Sequence, residues 1–232
     1  GSLQALKEYD LAVIAKPSEA FSESEKQVLD QYLMNGGKTI WLVDQVVAEI
    51  DSLYNPSGAS LAYPRDLNIN DLFFKYGIRI NPDIVKDEQG SPIQLASGEP
   101  GSATRFQQFN WKYAPLVTPI STHPIVKNLG GIKFDFANSI DTLKNSIKKT
   151  DLLQSSPYSK RVGTPTAINL SMVSETTSPA DYPNTGGIPL AVLLEGSFHS
   201  AFENRIKAFE QTNFQSTSKP TKMIVISDGD II

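Results

Sequence analysis

Residues 11–44 carry the pattern that most narrows the fold: an apolar strand, a capped helix and a second apolar strand, each with its own stop signal. Leu11, Val13 and Ile14 follow Tyr9-Asp10 and are ended by Lys16-Pro17. Ser22 precedes Glu25 by three residues, the spacing at which each side chain takes up a backbone N–H at a helix start. Val28, Leu29, Tyr32 and Leu33 then share one helical face, and Asn35-Gly36-Gly37 supplies a left-handed stop. Thr39-Ile40-Trp41-Leu42-Val43 is the second strand, ended by Asp44. A helical crossover makes the two strands parallel and the connection right-handed. Strands apolar on both faces predict helices on both sides of the sheet.

The remaining chain is read more coarsely. Asn68 is placed as the cap of a short helix through Leu72, Phe73 and Tyr76, stopped by Gly77; residues 78–81 alternate as a strand. Residues 87–105 read as a long loop or hairpin, and 87–120 as a β-rich excursion. Residues 132–136, the pair Leu152-Leu153, 188–194 and 223–226 read as strands. Residues 197–210 are expected to be helical, with Ala201, Phe202, Ile206 and Phe209 facing inward and Ser197 as N-cap. Residues 174–187 form a second long polar loop. Loops of this length are uncommon in compact domains unless they bind something. Residues 1–232 are taken as a single α/β domain.

Composition removes several chemistries. With no cysteine in 232 residues, disulfide frameworks, thiolate metal sites and thiol nucleophiles are excluded. A net charge of −4 argues against a nucleic-acid partner, which calls for a basic face. Apolar runs fall short of the ~18 residues of a spanning helix. Gly1 and the abrupt Asp228-Gly229-Asp230 ending suggest a soluble fragment, so a membrane would be reached through segments outside this sequence.

Several segments together resemble the GldG family, the gliding-motility-associated ABC-transporter auxiliary (substrate-binding) proteins of Bacteroidetes, within the broader ABC-type uncharacterised transport family. They are residues 9–17, Phe21-Ser22-Glu23, Gly36-Gly37-Lys38, Trp41-Leu42-Val43-Asp44, Tyr76-Gly77-Ile78-Arg79-Ile80-Asn81, His123-Pro124-Ile125, residues 139–143, residues 191–196 and Ser227-Asp228-Gly229-Asp230. The resemblance implies a flavodoxin-like, class I glutamine amidotransferase-like fold, with a mainly parallel sheet and helices on both faces. It also implies an extracytoplasmic domain at the periplasmic face of the inner membrane. The implied partners are an ABC permease, its ATPase through that permease, and other domains or copies of the same protein. It carries over no catalytic residues and no cofactor.

Chemistry on such a fold uses a cysteine elbow, absent here, or a serine elbow. Glu195-Gly196-Ser197-Phe198-His199 lacks the second glycine of the serine version. His123 and His199 lie on distant segments and are expected to be solvent-facing or capping. Trp111, with Phe109 and Tyr113 alternating around it, is expected in the core, the other reading being an exposed cleft. The candidate ligand-binding residues are Asp44, Asp228, Asp230 and Lys16, all expected where strands end, the side on which open α/β sheets bind ligands. A hard cation held by these oxygens is one reading; helix capping and turn chemistry is the other, and no metal is assigned. The function expected is non-catalytic interaction or ligand binding. The alternatives are a carboxylate-dependent hydrolase or carbohydrate-binding domain, and a small-molecule binder with an apolar pocket of at least ~300 Å³.

Overall fold

The computed structural model describes residues 3–97 and 105–231. The tip of the expected 87–105 loop and Gly1 lie outside that range. The central sheet has five strands in the order β1 (Leu11–Ala15), β2 (Lys38–Leu42), β15 (Thr221–Ile226), β14 (Pro189–Gly196) and β11 (Lys148–Gln154). The opening unit forms as its signals dictate. Ser22 and Glu25 make a reciprocal capping box at the start of α2 (Glu23–Met34), and β1 and β2 pair in parallel.

The expected flavodoxin-like sheet does not form. β15 is parallel to β2, but β14 is antiparallel to β15, and β11 to β14. The rest of the chain builds small antiparallel sheets. These are β3 (Val46–Val47) with β4 (Ala59–Pro64) and β13 (Thr166–Asn169), and β5 (Ile78–Ile80) with β10 (Ile140–Thr142). The others are β6 (Asp83–Asp87) with β12 (Ser159–Gly163), and β7 (Gly90–Ser97) with β8 (Arg105–Val117) and β9 (Ile132–Lys133). Beyond α2 the described α-helices are α1 (Leu3–Leu6) and α3 (Asn70–Tyr76), and none is long and apolar enough to cross a membrane. The α3 start falls two residues after Asn68, which takes φ 54°, and Gly77 ends it at φ 98°.

The sheet's two faces differ in what covers them. One face, with Trp41, Val43, Val192, Leu194, Met223 and Val225, packs against α2 and α3 through Leu33, Leu72 and Phe73. The opposite face, with Leu153, Ala191 and Leu193, packs against Val117, Val126 and Phe134, which belong to strand and irregular chain rather than to helices. Towards β1 that second cover runs out. Leu11 and Val13 are 45% and 52% exposed, so this strand is half-open rather than buried on both faces.

The physical reason for the missing helix over 197–210 lies on α2. Gln27, Asp30 and Gln31, at helical spacing on one side, are all fully buried. Gln27 Oε1 accepts from Ala208 N at 2.7 Å, and Gln31 Oε1 accepts from Gln215 N at 2.9 Å. Asp30 accepts from Ala201 N at 2.8 Å, Ser200 Oγ at 2.7 Å and Tyr76 Oη at 2.9 Å. Backbone amides that a helix would pair internally are taken instead by side chains of another element. Residues 197–210 therefore run as turns, with Ile206 almost wholly exposed and Phe202 buried. Ser197 caps no helix. Antiparallel neighbours β14 and β15 need no helical crossover.

Candidate functional site

Three parallel strands, β1, β2 and β15, end on one side of the sheet and deliver the four residues singled out from the sequence. Lys16 follows β1, Asp44 lies two residues after β2, and Asp228 lies two residues after β15. The structure brings them together. Carboxylate oxygens of Asp44, Asp228 and Asp230 lie within 4.8 Å of one another. Lys16 Nζ contacts both oxygens of Asp230, at 2.5 and 2.7 Å, and Glu49 at 3.1 Å.

Most of this oxygen set is already engaged. Asp228, 1% exposed, accepts from Asp230 N at 2.8 Å through Oδ1 and from Asp135 N at 2.7 Å through Oδ2. Asp44 Oδ1 accepts from Gly229 N at 2.7 Å. The close approach needs glycine between the two aspartates, because a Cβ at Gly229 would stand 2.6 Å from Asp44 Oδ2 and 2.7 Å from Lys16 Cγ. Lys16 itself adopts φ 44°, a left-handed conformation uncommon for a residue with a side chain.

Electrostatics follow from burial. Desolvation pushes Asp228 up to about 7 against the pull of its two backbone donors, with Asp44 and Asp135 adding repulsion. Burial raises Asp44 as well. Burial alone would lower the Lys16 ammonium, but its hydrogen bonds to Asp230 and Glu49 outweigh that and raise it. A carboxyl whose folded value lies above its unfolded one gives stability that is complete below about pH 4 and lost as pH rises through about 7. The stability of the natural protein relative to Asp228→Asn is therefore expected to fall by about 2 kcal/mol between pH 5 and pH 8. Urea melts of both proteins across that range check it, and a constant difference would show that Asp228 does not titrate there.

Glu49, Asp135 and Gly229 joined this rim without being picked from the sequence. Asp228-Gly229-Asp230 held the signal for the last of them, a glycine between two acids. The histidines are occupied locally. His123 Nδ1 accepts from Ile125 N at 3.3 Å, and His199 Nδ1 lies 3.2 Å from Thr217 Oγ1. Trp111 and Tyr113 are buried against Phe136, so they line no open cleft.

A second feature came from the hairpin. Leu95 and Phe106 face Leu53, Tyr54, Leu170 and Val173 across an open, mainly apolar groove of about 580 Å³. Phe106 is 71% exposed at its lip. One wall is the 3-10 turn over Leu170–Ser174. The chain beyond that turn is strapped down by Lys86 to Glu175 and by Lys112, which reaches Glu88 at 3.0 Å, Glu175 O at 3.0 Å and Thr177 Oγ1 at 2.9 Å.

Comparison with known proteins gives the chain its relatives. Four chains of solved structure match it. One, described as the mmIFT52 N-terminal domain, is 16% identical with a TM-score of 0.49, over 98% of this chain and 69% of that one. No curated protein matches. The family described as "ABC-type uncharacterized transport system" matches residues 2–232. The chain belongs to this family of ABC-type transport-system auxiliary proteins.

Proposed function

We propose that the chain is a non-catalytic, extracytoplasmic interaction and ligand-binding domain of a membrane-anchored auxiliary subunit. The subunit is of the GldG-like, gliding-motility-associated or export type. It works at the periplasmic face of the inner membrane beside an ABC permease and, through it, the ATPase. The segments that resemble GldG support the finer assignment. The state of the rim acids supports the absence of turnover. A general acid or base must reach a substrate proton, whereas both Asp228 oxygens and one Asp44 oxygen are spent on backbone N–H groups, and Asp230 is spent on Lys16. A two-carboxylate hydrolase would need these groups free on a pocket wall.

The full-length protein purified from native membranes is expected to bring the permease and ATPase with it. The Asp44→Asn and Asp228→Asn double variant, if folded, is expected to recover them equally and to support the same cellular phenotype. Loss of phenotype with unchanged recovery and unchanged fold would point to chemistry at the rim and overturn the non-catalytic reading.

The groove favours ligand binding as a second element of this role, since its volume and apolar lining suit a small molecule. Its probe is the apolar dye 8-anilinonaphthalene sulfonate. Saturable fluorescence enhancement is expected for the native protein, weakened at least about fivefold by Tyr54→Glu with Phe106→Glu. Equal binding by the folded variant would remove the groove as a ligand site.

A further inference from the structure

Three strands of the central sheet bring lysines to the end that lies away from the acidic rim. β2 and β15 are parallel, and they begin where β14 finishes and β11 starts. Register then sets a row across the sheet. Met223 pairs with Thr39, so Lys222 stands beside Lys38; Lys222 pairs with Glu195, and Glu195 with Lys148. Neighbouring strands lie about 4.8 Å apart, so the four residues span about 14 Å. Glu195 is shared between Lys222 at 2.8 Å and Lys148 at 3.6 Å, and those two side chains remain 57% and 72% exposed. Lys219 and Lys144, both exposed, lie on the chain entering β15 and β11. Among the described residues Lys38, Lys144 and Lys219 form no ion pair. Asp44, Asp228 and Asp230 stand past the opposite ends of β2 and β15. A chain of net charge −4 therefore has one positive end.

Like charges side by side on neighbouring strands are destabilising, and the row offers one carboxylate to three ammonium groups. We propose that this end docks on an anionic phospholipid bilayer, whose headgroup phosphates supply the missing counter-charge. The array is straight and extended, which matches a plane of anions rather than a single one. Its chemistry matches too. The planar fork of arginine suits bidentate recognition of one carboxylate or phosphate, whereas lysine is a hydrated point charge that accepts many directions of approach. The row and the segments that enter it, residues 144–149 and 219–222, contain lysine and no arginine. Clustered lysines of this kind are drawn to anionic leaflets, each adding to the attraction. The same surface repels the acidic rim, so the field of the molecule turns the lysine end toward the membrane. The inference rests on charge and register, not on the transport role.

Co-sedimentation of the protein with vesicles of one part phosphatidylglycerol to two parts phosphatidylcholine tests it. Binding is expected at about 50 mM salt, at least about fivefold weaker at about 300 mM, and absent from pure phosphatidylcholine. Lys148→Glu with Lys222→Glu should lower the partition coefficient more than about tenfold. Lys127→Glu with Lys160→Glu changes the net charge equally but lies outside the row, and should lower it far less. Circular dichroism checks folding. If three acids in the row prevent it, Lys144→Glu with Lys219→Glu, on the entering segments, takes the place of the row variant. No binding to the anionic vesicles at low salt overturns the proposal and leaves the row to an acidic protein segment. Undiminished binding by the folded row variant overturns it, and so does an equal loss in both charge-reversed pairs, which would make net charge the cause rather than this end of the sheet.

Discussion

Asp30→Ala should lower the unfolding free energy by about 3–5 kcal/mol, the largest loss expected from any single polar residue described. The carboxylate is fully buried and gathers Tyr76 Oη, Ser200 Oγ, Ala201 N and Gln31 Nε2. Alanine would leave these donors in a dry site with no acceptor, and each buried unpaired donor costs about 1–3 kcal/mol. Proximity to the Asp30 carboxylate is also one reason, after burial itself, that the Tyr76 hydroxyl is held well above its ordinary range. Asp30→Asn keeps one acceptor oxygen and turns an amide toward the others, so an intermediate loss is expected. Urea denaturation at pH 7 measures both. A midpoint for Asp30→Ala within error of the native protein would mean that the donors find other partners, and that the α2 stripe does not hold residues 198–217.

Lys112→Ala should cost about 3 kcal/mol and speed proteolysis within residues 174–187. The lysine is 94% buried and joins β8 to Glu88 and to the chain around Glu175 and Thr177. Its removal uncovers Glu88, whose carboxyl burial alone would raise, but which hydrogen bonds from Tyr182 and Lys112 hold below the usual range. It also releases the segment that follows the groove wall at Leu170–Ser174. Limited digestion by a glutamyl endopeptidase with mass mapping reads the second effect, since Glu175 lies inside the released stretch, which holds no lysine or arginine and whose Tyr182 precedes a proline. Unchanged cleavage there, together with a stability loss, would show that Lys86 and Glu175 suffice as the strap.

The first βα unit was legible because its signals are local: a capping box, a helix stop, and two strands at crossover distance. The four rim residues were legible for a related reason, since each sits just past a strand whose apolar run is unambiguous. Strand direction was not legible. The run at 188–194 is equally apolar in a parallel or an antiparallel neighbour, and the decision rests on residues 197–220, of which 197–210 had a helical look that was misleading. Ala201, Phe202, Ile206 and Phe209 suggested an amphipathic face, but amides at 201, 208 and 209 are taken by Asp30 and Gln27. A polar stripe on α2 reads as solvated surface until its distant partner is known. The hairpin of β7 and β8 showed its period of two in Phe109, Trp111 and Tyr113, yet the glycines and prolines around it outweighed that signal.

Asp30 and Ser200 are 170 positions apart, and Gln31 and Gln215 are 184 apart. A ribosome therefore releases α2 long before the chain that will cover it. Until then its amides and carboxylate stay hydrated, and the nascent βα unit has one lipophilic side and one wet side. Burial of that wet side waits on a segment far downstream, which ties the order of synthesis to the order of burial.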